Sequence, residues 1–216
     1  GGQPNIVPGT ASVWYYFREN DFQSIRKLYE LGNKISEAAA MATDTTVEHH
    51  VLGYAAPNYS NRPLAEAAFK NIQAVGMPQW SDADKAFAAR AQKANGFKPT
   101  PLSTEVTPLS TPETRGPSTG GGSDDIGDGM WNVPTITIRY PSNIPGAIGH
   151  NVTSAMAMAT PIAHKGVVVG AKAVALTVLD IMTTPKLVAD AKDWFQNVQL
   201  KDDKYDPVLS AADKPA

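Results

Sequence analysis

The chain has 216 residues, of which 42% are hydrophobic and 19% charged, values typical of a soluble globular protein of one or two domains. Its formal net charge of -2 excludes a general electrostatic attraction to nucleic acid or to an anionic membrane. The absence of cysteine excludes disulfides, thiolate metal sites and a cysteine nucleophile, and it leaves cytoplasm and periplasm both open as compartments.

The first quarter of the chain alternates between strand and helix patterns. Segment ASVWYYFR (11–18) is aromatic and β-branched, which predicts a strand. Residues 20–42 repeat apolar side chains at helical spacing, with Asn20 as the predicted N-cap. TTVEHHVLGY (45–54) predicts another strand. This order predicts an incomplete α+β sandwich in which at least one flanking strand is missing.

Alternation along the predicted strand 11–18 separates its side chains into two sets. One set is Trp14, Tyr16 and Arg18, and the other is Val13, Tyr15 and Phe17. We expect the second set to be buried under the helix, which leaves Arg18 on the open face.

After residues 55–60 the pattern changes to helices with clear end signals. One helix is predicted from the cap Asn61 to Gly76, with Pro63 in its first turn. The next runs from Ser81 to Gly96, with Asp84 three residues after the cap.

The remaining chain predicts one loop, one strand and two helices. Residues 97–122 hold five prolines and many small polar residues, which predicts a long loop. VPTITIRY (133–140) predicts a strand, and helices are expected at 163–183 and 185–197. The apolar run 166–182 contains two full charges, Lys172 and Asp180, which favours a buried helix over a membrane span.

Local chemistry alone leaves the candidate functional residues undecided. His150 ends the glycine-bearing segment IPGAIGHN, where it is either a metal ligand, a catalytic base or a packed side chain. The pair His49 and His50, on a predicted strand, favours surface or core packing, and His164 favours a capping or packing role. No HExxH or Ser-His-Asp pattern accompanies them.

The segment TGGGSDDIGDG (119–129) fits neither of two common ligand loops. It lacks the lysine of a phosphate-binding loop, and it lacks the distal glutamate of a calcium loop. A flexible hinge and a loop that lines a site remain the two interpretations.

Three segments in fixed order resemble one enzyme family over nearly the whole chain. They are GGQPNIVPGTASVWYYFREND, GSDDIGDGMWNVPT and IPGAIGHN…MATPIAHKGVVVGAKA. Their order is similar to that of the two-zinc metallopeptidase and amidohydrolase family, which includes carboxypeptidase G, aminoacylase and hippurate hydrolase. The branch of the aminobenzoyl-glutamate hydrolases is the most similar.

The resemblance implies an α/β fold with two regions. Residues 1–57 would be part of a ferredoxin-like α+β dimerisation domain, and residues 58–216 would be the C-terminal part of the catalytic α/β domain. It also implies that the chain is the second half of a longer enzyme. In that half only His150 matches a zinc ligand of the family, and the general base and other ligands have no counterpart.

The resemblance further implies a substrate, cofactors and partners. The substrate would be an N-acyl or N-aroyl amino acid such as aminobenzoyl-glutamate, and its amide bond would be hydrolysed with two zinc ions, or with manganese in their place. Asn5 would reach the reacting carbonyl, and Arg18 would take the substrate carboxylate. Asp124 and Asp125 would lie near His150. We expect a homodimer that binds neither nucleic acid nor membrane, with no catalytic activity in this chain alone. A non-catalytic dimerisation or binding module is the alternative function.

Overall fold

The computed structural model describes residues 3–110 and 124–209, and regular structure within them is helical. The helices are α1 (Phe22–Ala42), α2 (Arg62–Val75), α3 (Asp82–Ala94), α4 (Ile126–Met130), α5 (Val152–Ala157), α6 (Pro161–Thr183) and α7 (Pro185–Trp194). A π-helical turn at Phe195–Gln199 continues α7.

The predicted α/β fold is wrong for the described residues, because they contain no β-sheet. Both the catalytic α/β domain and the ferredoxin-like α+β domain were expected to contain one. Segments 11–18, 45–54 and 133–140 are neither helical nor paired with one another. A strand exists only when a neighbour about 4.8 Å away exchanges backbone hydrogen bonds with it. Composition can favour an extended backbone, but it cannot supply that neighbour.

Helix α2 is the centre of the second region, where it packs against α6 and α7. Its cap Asn61 is fully buried and joins these elements through both ends of its side chain. Oδ1 accepts from the backbone N–H of Leu64 at 3.3 Å, and Nδ2 donates to the carbonyl of Ala191 in α7 at 2.9 Å. The N-cap therefore also fixes the position of a neighbouring helix.

The end signals of α2 and α3 confirm their sequence predictions. Ser81 and Asp84 form a reciprocal capping box at the start of α3. Gly76 ends α2 with φ +73°, in the region of backbone space that favours glycine. At α1 the prediction was one residue off, since Asp21 and not Asn20 accepts from the N–H of Ser24.

Two hydrophobic clusters hold the loops to the helices. The first contains Trp80, Ala88, Leu102, Ile144, Ala157 and Ile162. The second contains Phe22, Ala56 and Trp131, with Tyr54, Leu200 and Tyr205 packed against it. The first cluster anchors the loop that leads to His150, and the second joins α1 to the rest of the chain.

Helix α6 differs from its prediction as a buried helix. It is long and apolar enough to cross a membrane by length and composition, yet only 17% of its most apolar stretch is buried. Its buried residues are Ile162, Ala163, Gly166, Ala173 and Thr177. The opposite side is apolar and exposed.

Candidate functional site

His150 lies at the end of an exposed loop in a strained backbone conformation. Its φ of +56° is in the left-handed region, which few residues other than glycine adopt, although histidine enters it more readily than most. The imidazole is exposed and makes no hydrogen bond within the described residues. Such outliers concentrate at functional sites, where the surrounding structure holds them in place.

Three contacts hold the loop in place before His150. The side chain of Ile144 is buried in the first hydrophobic cluster. The buried amide of Gln92, in α3, donates to the carbonyl of Pro145 at 3.0 Å. Asn143 donates from Nδ2 to Oγ of Ser154 at 2.8 Å, which ties the loop to α5. The strained residue thus follows a firmly anchored segment.

The imidazole borders an open depression of about 450 Å³. Its lining consists of Asn143, His150, Asn151, Val152, Ser154, Ala155 and Met158. Asn151 caps α5, because its Oδ1 accepts from the backbone N–H of Thr153 at 2.9 Å. The residue next to His150 therefore has a structural role, and the imidazole is the titratable group at this depression.

The described residues do not by themselves form a metal centre. No group of three His, Asp or Glu side chains comes together in ranges 3–110 and 124–209. Zinc takes three or more protein ligands, so His150 alone does not fit it. Asp124 accepts from the N–H of Ile126 at 3.2 Å, and Asp125 precedes α4. Neither aspartate lines the depression beside His150, and their expected closeness to it stays a prediction.

Arg18 and Asn5 both lie on the surface of the first region. The guanidinium carbon of Arg18 lies 5.1 Å from the ring centre of Tyr16, which in turn stacks on Trp14. Within the described residues Arg18 makes no ion pair, and the acidic side chains beside it in the chain, Glu19 and Asp21, do not pair with it. Asn5 occupies an exposed turn. The structure does not bring either residue to His150.

The other side of the same segment contacts α1. The ring of Phe17 lies against Gly32, where a Cβ would clash with it, and it makes an edge contact with Tyr29. Of the set expected under the helix, only Phe17 is partly covered. Val13 and Tyr15 are 72% and 70% exposed, so their predicted burial is wrong. Arg18 is exposed as well.

The remaining histidines have surface partners or none. His49 Nε2 and the hydroxyl of Ser36 are 2.6 Å apart, and His50 lies 3.5 Å from a carboxylate oxygen of Glu48. His164 is exposed in the first turn of α6, whose cap is Thr160 and not the histidine. None of the three reaches the depression beside His150.

The junction between the two regions contains polar residues that sequence reasoning missed. Oδ1 of Asp128 accepts from the hydroxyl of Tyr205 at 2.9 Å and from the N–H of Ala56 at 3.3 Å. The hydroxyl of Tyr54 is buried without a partner in the described residues. Burial, with a contribution from the charge of Asp128, raises the pKa of Tyr54 to about 12. No local pattern signals this cluster, because Asp128 lies more than 70 positions from both Ala56 and Tyr205 in the chain.

Comparison with known proteins gives similarity over almost the whole chain. The chain is 26% identical over 223 residues to a subunit of the p-aminobenzoyl-glutamate hydrolase of Escherichia coli, a match that covers 92% of the chain and 46% of that protein. It is 26% identical to Xaa-Arg dipeptidase of Homo sapiens, over 95% of the chain and 40% of that protein. The Xaa-Arg dipeptidase of Mus musculus matches at 26% identity over 91% of the chain and 38% of its own length.

The names of these relatives support a similarity to the peptidase and amidohydrolase family. The chain spans less than half the length of the curated relatives it matches. No protein-family profile matches it. No solved structure matches it either.

Proposed function

We propose that this chain is the C-terminal part of a metal-dependent amidohydrolase that cleaves the amide bond of an N-acyl or N-aroyl amino acid such as aminobenzoyl-glutamate. The observation that carries the proposal is the similarity to the bacterial p-aminobenzoyl-glutamate hydrolase over 92% of the chain. The two dipeptidases support hydrolysis of an amide bond on a wider range of substrates. The remaining metal ligands and the general base would come from polypeptide outside these 216 residues.

His150 is the residue of this chain that we assign to the metal. Its exposed imidazole, its strained backbone and its place beside an open depression all suit a ligand that completes a site from outside. Neutral imidazole nitrogen is a common zinc ligand, and manganese is the alternative ion. This chain alone is expected to be inactive, because one imidazole neither retains zinc nor replaces a general base.

Arg18 and Asn5 are proposed to bind substrate. A planar guanidinium grips a carboxylate through two parallel hydrogen bonds, and Arg18 has no ion pair in the described residues that would compete. Asn5 offers an exposed amide that can donate to a carbonyl oxygen. For these roles residues 1–57 must close over the region that carries His150.

A homodimer formed through residues 1–57 belongs to the same proposal. Residues Val13, Trp14, Tyr15 and Tyr16 are each about 70% exposed, and their segment has no backbone partner in the described residues. An unpaired extended segment of this composition readily pairs with another strand. The same observation favours the second candidate function, a dimerisation or binding module without catalysis.

The test uses the complete polypeptide encoded by the gene, purified with its metal. We expect it to release p-aminobenzoate from p-aminobenzoyl-glutamate, and to contain zinc or manganese by elemental analysis. His150→Asn should remove most of the activity and reduce the bound metal, since asparagine tolerates the left-handed backbone but is a poor zinc ligand. His164→Asn is the matched control, and it should retain both the activity and the bound metal.

Two outcomes would contradict the proposal. One is unchanged metal content and turnover in the His150→Asn protein. The other is a complete polypeptide that binds no metal and hydrolyses no N-acyl amino acid while it forms dimers, which would favour the binding module.

A further inference from the structure

Three planar side chains form one exposed row on the first region: Trp14, Tyr16 and Arg18. The rings of Trp14 and Tyr16 stack, with their centres 5.8 Å apart and their planes 26° from parallel. The guanidinium carbon of Arg18 lies 5.1 Å from the centre of the Tyr16 ring. Both rings are 69% exposed. Aromatic surface and a cation are therefore presented to solvent side by side.

Strand pairing in the proposed homodimer would leave this row open. Trp14 stacks on Tyr16, and Tyr15 stacks on Phe17, so alternate residues of the segment form two separate rows. The backbone hydrogen bonds of a sheet lie in its plane, whereas the side chains project from its faces. A second strand would therefore occupy the backbone edge of the segment and not the row.

The cation of the row has no anionic partner within the described residues. Arg18 makes no ion pair there. Its contact with Tyr16 engages the flat face of the guanidinium, so the N–H donors around the rim of that group remain available. Two of those donors can bind one carboxylate. The matching ligand therefore has a carboxylate and, next to it, a group that packs against aromatic rings.

We propose that Trp14 and Tyr16 form an aryl subsite beside Arg18, and that this subsite selects N-aroyl over N-alkanoyl amino acids. The inference rests on the proposed function, in which Arg18 takes the substrate carboxylate. Four bonds separate the ring of an N-aroyl amino acid from its carboxylate carbon, so the ring centre and that carbon are roughly 6 Å apart. The guanidinium and the Tyr16 ring are separated by a similar distance, 5.1 Å. A carboxylate bound at Arg18 therefore brings the aroyl ring level with the two aromatic side chains.

The expected contact between the aroyl ring and the row is edge-to-face. Trp14 and Arg18 lie before and after Tyr16 in the row, so the free part of the Tyr16 ring is its edge. An aromatic ring has a positive edge and a negative face, which favours a ligand ring that lies with its face across the edges of the row. An electron-donating amino group on the ligand makes that face more negative. An acetyl group has no such face, so the subsite distinguishes the two acyl classes.

The depression beside His150 fits an aryl ring less well. Its apolar lining consists of Val152, Ala155 and Met158, with no Trp, Tyr or Phe. Such a lining accepts an alkanoyl group as readily as an aroyl ring, because it offers apolar area without an aromatic edge. It also contains no Lys or Arg that would hold the carboxylate. We therefore assign the aryl group to the row and not to the depression.

The test compares two substrates that share glutamate and differ in the acyl group, p-aminobenzoyl-glutamate and N-acetyl-glutamate. In the complete enzyme, Trp14→Leu and Tyr16→Leu should each lower kcat/KM for the aroyl substrate about three- to tenfold, since each removes one aromatic contact. The value for the acetyl substrate should change less than about twofold. Trp14→Phe and Tyr16→Phe retain a ring and should recover most of the loss. Tyr15→Leu is the matched control, with 70% exposure against 69%, and should affect neither substrate.

Binding provides a second measurement that does not depend on turnover. Calorimetric titration of the complete protein, with and without its metal, gives Kd for both compounds. Trp14→Leu should raise Kd for p-aminobenzoyl-glutamate by the same factor of about three to ten and leave Kd for N-acetyl-glutamate unchanged.

Four results would overturn the inference. They are no binding of p-aminobenzoyl-glutamate, unchanged Kd and kcat/KM in both leucine variants, an equal change for the two compounds, and a selective loss in Tyr15→Leu or Met158→Ala in place of the row. A complete protein that binds the aroyl compound through these rings but hydrolyses neither substrate would contradict the proposed function and leave this inference standing. An enzyme that hydrolyses both without dependence on the rings would do the reverse.

Discussion

The hydroxyl of Tyr205 donates a hydrogen bond of 2.9 Å to Oδ1 of Asp128, and this bond fastens the C-terminal segment to the junction between the two regions. The next residue, Asp206, pairs with Arg26 of α1 at 2.8 Å. Residues 205 and 206 thus connect α1 to the loop that contains α4. The same cluster contains Tyr54, whose buried hydroxyl has no partner in the described residues.

We predict opposite effects for the two tyrosine hydroxyls. Tyr205→Phe should lower the free energy of unfolding by about 1 kcal/mol, because it removes a hydrogen bond to a charged acceptor. Tyr54→Phe should be neutral or stabilising by up to about 1 kcal/mol, because it removes a buried polar atom without a partner. Urea unfolding of both variants at pH 7 measures the difference. Equal losses of unfolding free energy in the two variants would contradict the assignment of a hydrogen bond to the Tyr205 hydroxyl and of none to the Tyr54 hydroxyl.

The raised pKa of Tyr54 adds a pH dependence to the same comparison. An unfolded tyrosine loses its proton near pH 10, whereas burial keeps the folded group protonated to about 12. The protonated folded form therefore contributes stability below pH 10 that is lost as the pH rises toward 12. The Tyr54→Phe protein should lose less stability over this interval than the unmodified protein.

Two glycines in helix α4 provide a matched test of the junction. A Cβ at Gly127 would overlap with the carbonyl oxygen of Ala56, whereas a Cβ at Gly129 meets no atom within 4 Å. Gly127→Ala should cost roughly 1–3 kcal/mol, because the backbone of one segment must move. Gly129→Ala should be neutral or stabilising by up to about 1 kcal/mol, since alanine favours a helix. Thermal unfolding of the two variants measures the difference. A Gly127→Ala protein with unchanged stability would show that the backbones at Gly127 and Ala56 are not in contact.

Sequence alone predicted the helices whose end signals are local. The caps of α2 and α3 lie within three residues of the groups they satisfy, so a short window contains the whole interaction. The short helices α4 and α5, of five and six residues, have too few turns to show a period and were missed.

The strands and the junction could not be predicted in the same way. A strand is defined by its partner, and segments 11–18, 45–54 and 133–140 find none among the described residues. Asp128 meets Tyr205 from 77 positions away, which no local pattern encodes. His150 could be singled out by its glycine-bearing loop, but its left-handed backbone became visible only in the structure.

Asp84 should stabilise the protein through a pH-dependent ion pair. Its Oδ2 lies 2.5 Å from Nζ of Lys165, and this contact, together with hydrogen bonds from Ser81, lowers the pKa of Asp84 to about 2. Asp84→Asn should cost about 1–2 kcal/mol at pH 7, a modest value because the lysine is partly exposed and screened by water.

The sign of the pH effect follows from the lowered pKa. Asp84 contributes its full stability above the ordinary pKa of 3.8, and the contribution is lost as the pH falls toward 2. Urea unfolding should therefore show a difference between Asp84→Asn and the unmodified protein that is largest at pH 7 and much smaller at about pH 2, where about half of the folded Asp84 is protonated. The control is Asp82→Asn, whose fully exposed carboxylate pairs with Lys85 in the same turn and should leave stability almost unchanged. If Asp84→Asn lowered the free energy of unfolding equally at both pH values, the effect of Asp84 would come from the helix cap alone.

Arg18 offers the sharpest test of the proposed substrate class, and the complete enzyme is the material for it. Arg18→Ala should raise KM at least about tenfold for a substrate with a free α-carboxylate, since a charge-assisted pair of hydrogen bonds is lost. For the matching α-amide, KM should change little. Arg18→Lys should recover only part of the loss, because an ammonium group cannot form the two parallel bonds of a guanidinium.

The split between substrates separates recognition from structural damage. Removal of Arg18 also removes its contact with the ring of Tyr16, 5.1 Å away, and a general disturbance of that surface would affect both substrates equally. Arg90→Ala, an exposed arginine on α3, should leave both KM values unchanged. Equal increases for the carboxylate and the amide would therefore refute the carboxylate role, whereas an increase confined to the carboxylate would place Arg18 at the substrate.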